Sequence, residues 1–110
     1  MMPVFRRNYH EFYNKTKHEH DKKVIEYISQ KEEIVCAHPF DYPLLKHDFN
    51  KIRRAKCGKK LRIFYAMSTE RPDLWDNAPD EIEIIFLYVH FRSDDTYKGA
   101  LKHLRKTGVT

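Results

Sequence analysis

Cysteine is scarce. Cys36 and Cys57 are the only two in 110 residues, and neither sits in a CxxC pair or beside a histidine pattern. That arrangement supplies no zinc-finger ligand set and no redox dithiol, so two buried thiols acting as small hydrophobes is the plain reading. Close histidine pairs are as rare. "HEH" at 18–20 is the one example, and helical positions i and i+2 point to different faces, so no metal site is read there. Long apolar runs are missing too. No segment reaches the ~18 consecutive apolar residues that a membrane span needs. The start "MMPVFRRNYH" lacks the apolar stretch of a signal peptide, and a cytoplasmic protein without membrane contact is expected. With no repeats, no low-complexity tracts and no break in composition, residues 1–110 read as a single domain with a modest core.

Charge is what the chain has in quantity: 34% of its residues are charged and the net charge is +5. Its placement matters more than its total. Residues 46–62 carry eight Lys/Arg against one acid, Asp48, whereas 70–83 carry six acids against Arg71 alone. Thr96–Thr110 adds four cations and no acid. Within "KIRRAKCGKKLRIFY" (51–65) seven cations crowd one expected hairpin, where like charges on neighbouring strands repel. A phosphate backbone or an acidic protein would meet such a surface; a merely solvated face is the bland alternative.

Periodicity organises the rest. "PVFRR" (3–7) reads as a short first strand. Tyr9, Phe12 and Tyr13 follow at helical spacing with Asn8 as the expected N-cap, and Asp21 caps a second helix striped by Val24, Ile25, Ile28 and Val35. Pro39 and Pro43 in "HPFDYP" end it. A strand over Phe49–Cys57 then leads through Gly58–Lys60 into "LRIFYAM" (61–67), with Leu61, Ile63, Tyr65 and Met67 on one face and Arg62, Phe64 and Ala66 on the other. Ile52 and Arg54 would share a face under strict alternation, so a bulge near Arg53–Arg54 is expected to send Ile52, Ala55 and Cys57 to the core. Residues 68–81 form a polar connection in which Trp75 packs on the sheet edge. "IEIIFLYVHF" (82–91) is the expected central strand, and Ala100–Lys106 a short basic helix after a turn or cap at Ser93 or Asp94. The fold class is α+β: two N-terminal helices on a small antiparallel sheet, in the order βααβββ with a short C-terminal helix.

Taken together, "DKKV" opening the second helix, "HP" closing it, "LLKHDFNKIRRAKCGKKLRIFYAM", and a last strand running into "HFRSDDTYK" resemble the RelE/ParE superfamily of toxin–antitoxin toxins over roughly residues 5–100. The resemblance implies a toxin domain. In the RelE branch this is a ribosome-dependent, metal-free messenger RNA endoribonuclease; other branches act by binding, including to a gyrase-type target. It implies partners as well: a cognate antitoxin, the ribosome and mRNA, with no small-molecule cofactor. By position, the basic pair of the second strand falls on Lys51 and Arg53. The third-strand Arg falls on Arg62, the Arg closing the last strand on Arg92, and the Tyr beyond it on Tyr97. Arg54, Lys56, Lys59 and Lys60 become general RNA contacts or a solvated turn. Three features depart from the pattern: a longer turn between strands two and three, His90-Phe91-Arg92 where a Gly and a polar residue precede the Arg, and the long 68–81 connection.

Cleaving RNA without a metal needs a base for the 2′-OH, cations for the charge growing on the phosphorus oxygens, and an acid for the departing 5′-oxygen. The resemblance makes Lys51 the base, crowded by Arg53 and Arg62 so that its proton is loosened. Arg62 is then the phosphate clamp, Arg92 a clamp or acid, and Tyr97 a base-stacking residue. His90, on the same strand face as Arg92, and His47 compete for the acid–base role, since imidazole titrates near neutrality.

Overall fold

In the computed structural model, residues 5–46, 49–91 and 96–109 are described, with Phe91, Thr96 and Tyr97 described by backbone alone. The element order is β1 (Arg6–Tyr9), α1 (Glu11–His18), α2 (Lys22–Ala37), β2 (Arg53–Cys57), β3 (Leu61–Met67), β4 (Glu83–Phe91) and α3 (Thr96–Lys106). One 3₁₀ turn, Pro72–Leu74, lies in the connection before β4. The strands form one sheet ordered β1-β4-β3-β2. β2–β3 and β3–β4 are antiparallel, but β1 runs parallel to β4, with Arg6 opposite Glu83. The sheet is therefore mixed rather than wholly antiparallel. The two helices between β1 and the rest supply the crossover that a parallel partner requires.

The start of the chain corrects the expected helix boundary. Tyr9 and Asn8 belong to β1, and the helix begins after His10, whose Nδ1 accepts the Phe12 N–H at 3.1 Å. Asn8 instead donates to Glu83 across the sheet at 2.7 Å. The described part of the first strand, Arg6–Tyr9, lies later than residues 3–7; the start of that expected span falls outside the described residues. Asp21 does cap α2, accepting the Val24 N–H at 3.0 Å.

Both faces of the sheet are covered. On one, here the α2 face, Tyr13 of α1 and Ile28, Val35 and Cys36 of α2 meet Ala55, Cys57, Leu61, Ile63, Tyr65, Met67, Ile84 and Phe86. On the other, the α3 face, Ala100, Leu104 and Val109 meet Phe49, Ile52, Phe64, Ala66, Leu87 and Tyr88. That second layer removes the reason for a bulge in β2. Ile52 and Ala55 go to opposite faces and both are fully buried, so plain alternation holds. The register shift lies instead between β3 and β4, where Phe64 faces Tyr88 and Tyr65 faces Phe86. Leu87 is the extra residue, and it and Tyr88 both reach the α3 face.

A polar knot joins the two N-terminal helices. Glu32 of α2, 2% exposed, accepts from Lys17 Nζ of α1 at 3.0 and 3.2 Å and from the Tyr13 hydroxyl at 2.7 Å; the Tyr9 hydroxyl of β1 donates to it at 3.0 Å. Burial and the facing carboxylate push the Tyr9 hydroxyl up to about 12, so it stays a donor. Earlier in α2, mid-helix, Tyr27 abuts the β2–β3 turn. A Cβ added to Gly58, whose φ is +74°, would lie 2.9 Å from the Tyr27 hydroxyl oxygen.

Two stability measurements check these contacts. Glu32→Leu strands a buried ammonium and is expected to cost about 3–5 kcal/mol in denaturant unfolding, with much of the loss recovered in Lys17→Met/Glu32→Gln. Gly58→Ala is expected to cost about 1–2 kcal/mol from its left-handed backbone alone. Adding Tyr27→Phe should return only the part due to crowding.

Candidate nucleic-acid interface

Antiparallel pairing brings a cationic row together on the α3 face. Lys56 of β2 lies opposite Arg62 of β3, and Arg62 opposite His90 of β4. Directly paired residues share a face, so the three side chains stand side by side across the sheet. The next row holds Arg54, Phe64 and Tyr88. The rings behind these cations are packed. His90 stacks on Tyr88 (centroids 5.6 Å, planes 12° apart), and His103 of α3 sits 5.5 Å from Tyr88 and 4.8 Å from Phe12.

The electrostatics of the row are lopsided. Arg62 is 5% exposed, and among the described residues its guanidinium bonds to backbone: Nη1 donates to Leu61 O at 2.9 Å and to Gly58 O at 3.4 Å, and Nη2 to Lys59 O at 3.2 Å. Among the described residues neither Arg62 nor Lys56 is in an ion pair. Burial lowers the His90 pKa below its ordinary value, and the facing His20 and His103 add to the effect against an opposing Glu19. A neutral imidazole thus stands beside a buried cation that no described carboxylate balances. This is a surface that attracts an anion and can take a proton from it.

The expected site residues part company here. Arg53 pairs with Tyr65 and points to the α2 face, away from Arg62. Its guanidinium grips Glu70 through two bonds, 2.9 and 2.8 Å, donates to Tyr42 O at 2.6 Å, and lies 5.5 Å over the Phe40 ring. It is an internal clasp between β2 and the two flanking loops. Lys51 is exposed in the turn before β2 rather than on the strand, at the left-handed φ of 51°. The expected crowding of Lys51, Arg53 and Arg62 in one hollow is therefore corrected, because alternation splits the two arginines between faces. Lys59 and Lys60 are exposed in the β2–β3 turn. Arg92, the Tyr97 side chain and His47 lie outside the described residues, as do Asp94 and Asp95.

Two hollows lie among the described residues, and one of them shares Lys56 with the row. One of about 290 Å³ at the β2 edge is lined by Tyr42, Pro43, Arg54 and Lys56. A wider, open groove of about 580 Å³ runs along α3, lined by Lys98, Leu101, Lys102, Arg105 and Lys106. Sequence reasoning missed His103 and Tyr42, which only tertiary packing brings to this region; the lack of any acid from Thr96 on was the available signal for α3. Trp75 does pack at the sheet margin, its Nε1 donating to Glu83 at 3.3 Å. Burial raises both thiols to about 11, so Cys36 and Cys57 are inert core groups. Among the described residues no cluster of three or more His, Cys, Asp or Glu is placed to hold a metal ion, and no helix is long and apolar enough to cross a membrane.

No family model and no curated protein matches the sequence. Solved structures do. The RelBE2 toxin–antitoxin complex of Mycobacterium tuberculosis contains a chain that superposes with a TM-score of 0.66 at 14% identity, over 86% of this chain and 98% of that one. A YoeB/ParE toxin from Agrobacterium tumefaciens gives 0.58 at 12% identity, over 81% and 100%. Across nearly its whole length, then, the chain has the RelE/ParE-like toxin fold.

Proposed function

We propose that the protein is the toxin of a toxin–antitoxin pair and acts as a RelE-type endoribonuclease on messenger RNA held by the ribosome. The observation that carries this reading is the Lys56–Arg62–His90 row, a cationic strip uncompensated by any described carboxylate and adjoining a neutral imidazole. In the proposed step His90 removes the 2′-OH proton and the 2′-oxygen attacks the adjacent phosphorus. The bond from phosphorus to the 5′-oxygen breaks, and that oxygen takes a proton from water, while the proton held by His90 returns to solvent. A 2′,3′-cyclic phosphate remains. Arg62 and Lys56 oppose the charge that grows on the phosphorus oxygens, the largest part of the catalysis. The ribosome supplies the alignment of message and enzyme that so open a site does not. The fold shared with the toxin–antitoxin complex supports an antitoxin partner.

One observation favours a second reading, in which the protein acts by binding alone to a gyrase-type target or its antitoxin. The described hydrogen bonds of the Arg62 guanidinium all go to the carbonyls of its own turn, which makes it a brace as well as a charge.

Toeprinting of a translated message separates the two. Added protein should truncate the message, and Arg62→Ala or His90→Gln should lower the cleavage rate about 10²-fold or more, with thermal melts confirming that the variants fold. Intact messages together with blocked DNA supercoiling would establish the binding reading instead. Cleavage should also depend on pH in one direction. The base works when neutral and its pKa is lowered, so activity should be at its plateau by neutrality and fall only on acidification below about 6.5. The same lowered pKa means that the unfolded chain binds the extra proton, so stability present above about pH 6.5 should be lost as the pH falls through the folded value, less steeply in His90→Gln.

A further inference from the structure

The hollow at the β2 edge has a construction that neither the row nor the fold explains. Its aromatic wall is fixed from behind. The Tyr42 ring stands edge-on to Tyr65 at 6.3 Å and 87°, and the Tyr65 hydroxyl is itself anchored to Pro39 O at 2.5 Å. The backbone of the wall is tied to β2: Tyr42 O accepts from Arg53, Pro43 O accepts the Arg54 N–H at 3.1 Å, and the Leu45 N–H donates to Ile52 O at 2.7 Å. Tyr42 packs on the α2 side of the β2 edge, whereas Arg54 and Lys56 belong to the α3-face rows, so the space of about 290 Å³ that they line together lies at the rim between the two faces.

We infer that this hollow is a nucleotide subsite, taking one base of a single-stranded RNA against Tyr42 and the adjoining phosphate beside Arg54 and Lys56. Aromatic platform plus cationic flank is the chemistry of single-strand binding, tolerant of sequence because every base has a π-face. Lys56 belongs to both hollow and row, and His90 lies two strand spacings further, about 10 Å away. A strand with its base against Tyr42 turns over the β2 edge at Lys56 and so carries its neighbouring phosphate onto the α3 face, toward Arg62 and His90. An acidic peptide could meet the cations but would have no use for the ring, and a duplex would hide its bases from it. The inference takes RNA as the ligand from the proposed function, and extends it by naming where the strand enters.

Binding of a short labelled single-stranded RNA, without ribosomes, tests it by fluorescence anisotropy. Tyr42→Leu should weaken binding about 5- to 100-fold, the equivalent of one base stack. Tyr42→Phe should bind as the parent does, and Lys56→Ala should reduce the slope of log affinity against log salt by about 0.7. Because Tyr42→Leu also thins the packing on Tyr65, ultraviolet crosslinking of the unaltered protein to thiouridine-substituted RNA gives a second measurement, with the adduct expected on Tyr42. Parent-like binding by a folded Tyr42→Leu, an adduct confined to other segments, or a polyglutamate ligand showing the same dependence on Tyr42 would each overturn the inference. Loss of ribosomal cleavage with this binding intact would refute the nuclease reading and leave the subsite standing.

Discussion

Glu32 holds the architecture at its least forgiving point. A carboxylate 2% exposed between two helices is tolerable only because an ammonium and two phenol hydroxyls from β1 and α1 converge on it. Tyr13 and Tyr9 then carry that arrangement into the sheet, where both rings pack on Phe86 at 5.2 and 5.5 Å. Loosening one partner leaves a buried charge unbalanced, so the helical layer and the sheet are set relative to one another by directional contacts as well as by apolar area. The α2 face thereby becomes the tightly fixed backing of the sheet, and the cationic row lies on the other side.

The same division sorts the arginines. Arg53 and Arg71 are consumed by structure. One bridges Glu70 and the loop carbonyls; the other, 5% exposed, grips Asp73 while donating to Asn50 O and Val109 O. Each has a carboxylate, so each adds little net field. Arg62 is as buried as Arg71, but among the described residues its partners are carbonyl dipoles and no carboxylate, so within that set its charge is not cancelled on the α3 face. Neighbouring positions of one basic strand pair thus serve opposite ends, decided by which way alternation turns them.

Much of this was legible in the sequence. The two-residue period of "LRIFYAM" sorted Leu61, Ile63, Tyr65 and Met67 from Phe64 and Ala66 as the cores do, and the near-continuous apolar run of 82–91 marked an interior strand covered on both sides. The Asp21 cap was readable because it is local chemistry. What could not be read depended on distant partners. The parallel pairing of β1, the Glu32 knot and the bulge at Leu87 join segments far apart in the chain. The bulge expected in β2 came from assuming one buried face; α3 supplies a second. The site suffered most, since the resemblance placed Lys51 and Arg53 by position while register and turn geometry took both away from Arg62.

The dependence of the whole sheet on β4 has a further result. β4 is hydrogen-bonded to β1 and β3, and α1 and α3 both pack on it, while Arg6 and Glu83 are joined only after most of the chain between them has been made. Contacts of such long sequence separation close late and slowly. During synthesis the N-terminal strand waits without its hydrogen-bonding neighbour until the last strand leaves the exit tunnel. The nascent polypeptide therefore cannot complete this sheet until β4 has been made, and a fragment terminated before β4 lacks the spine of the sheet.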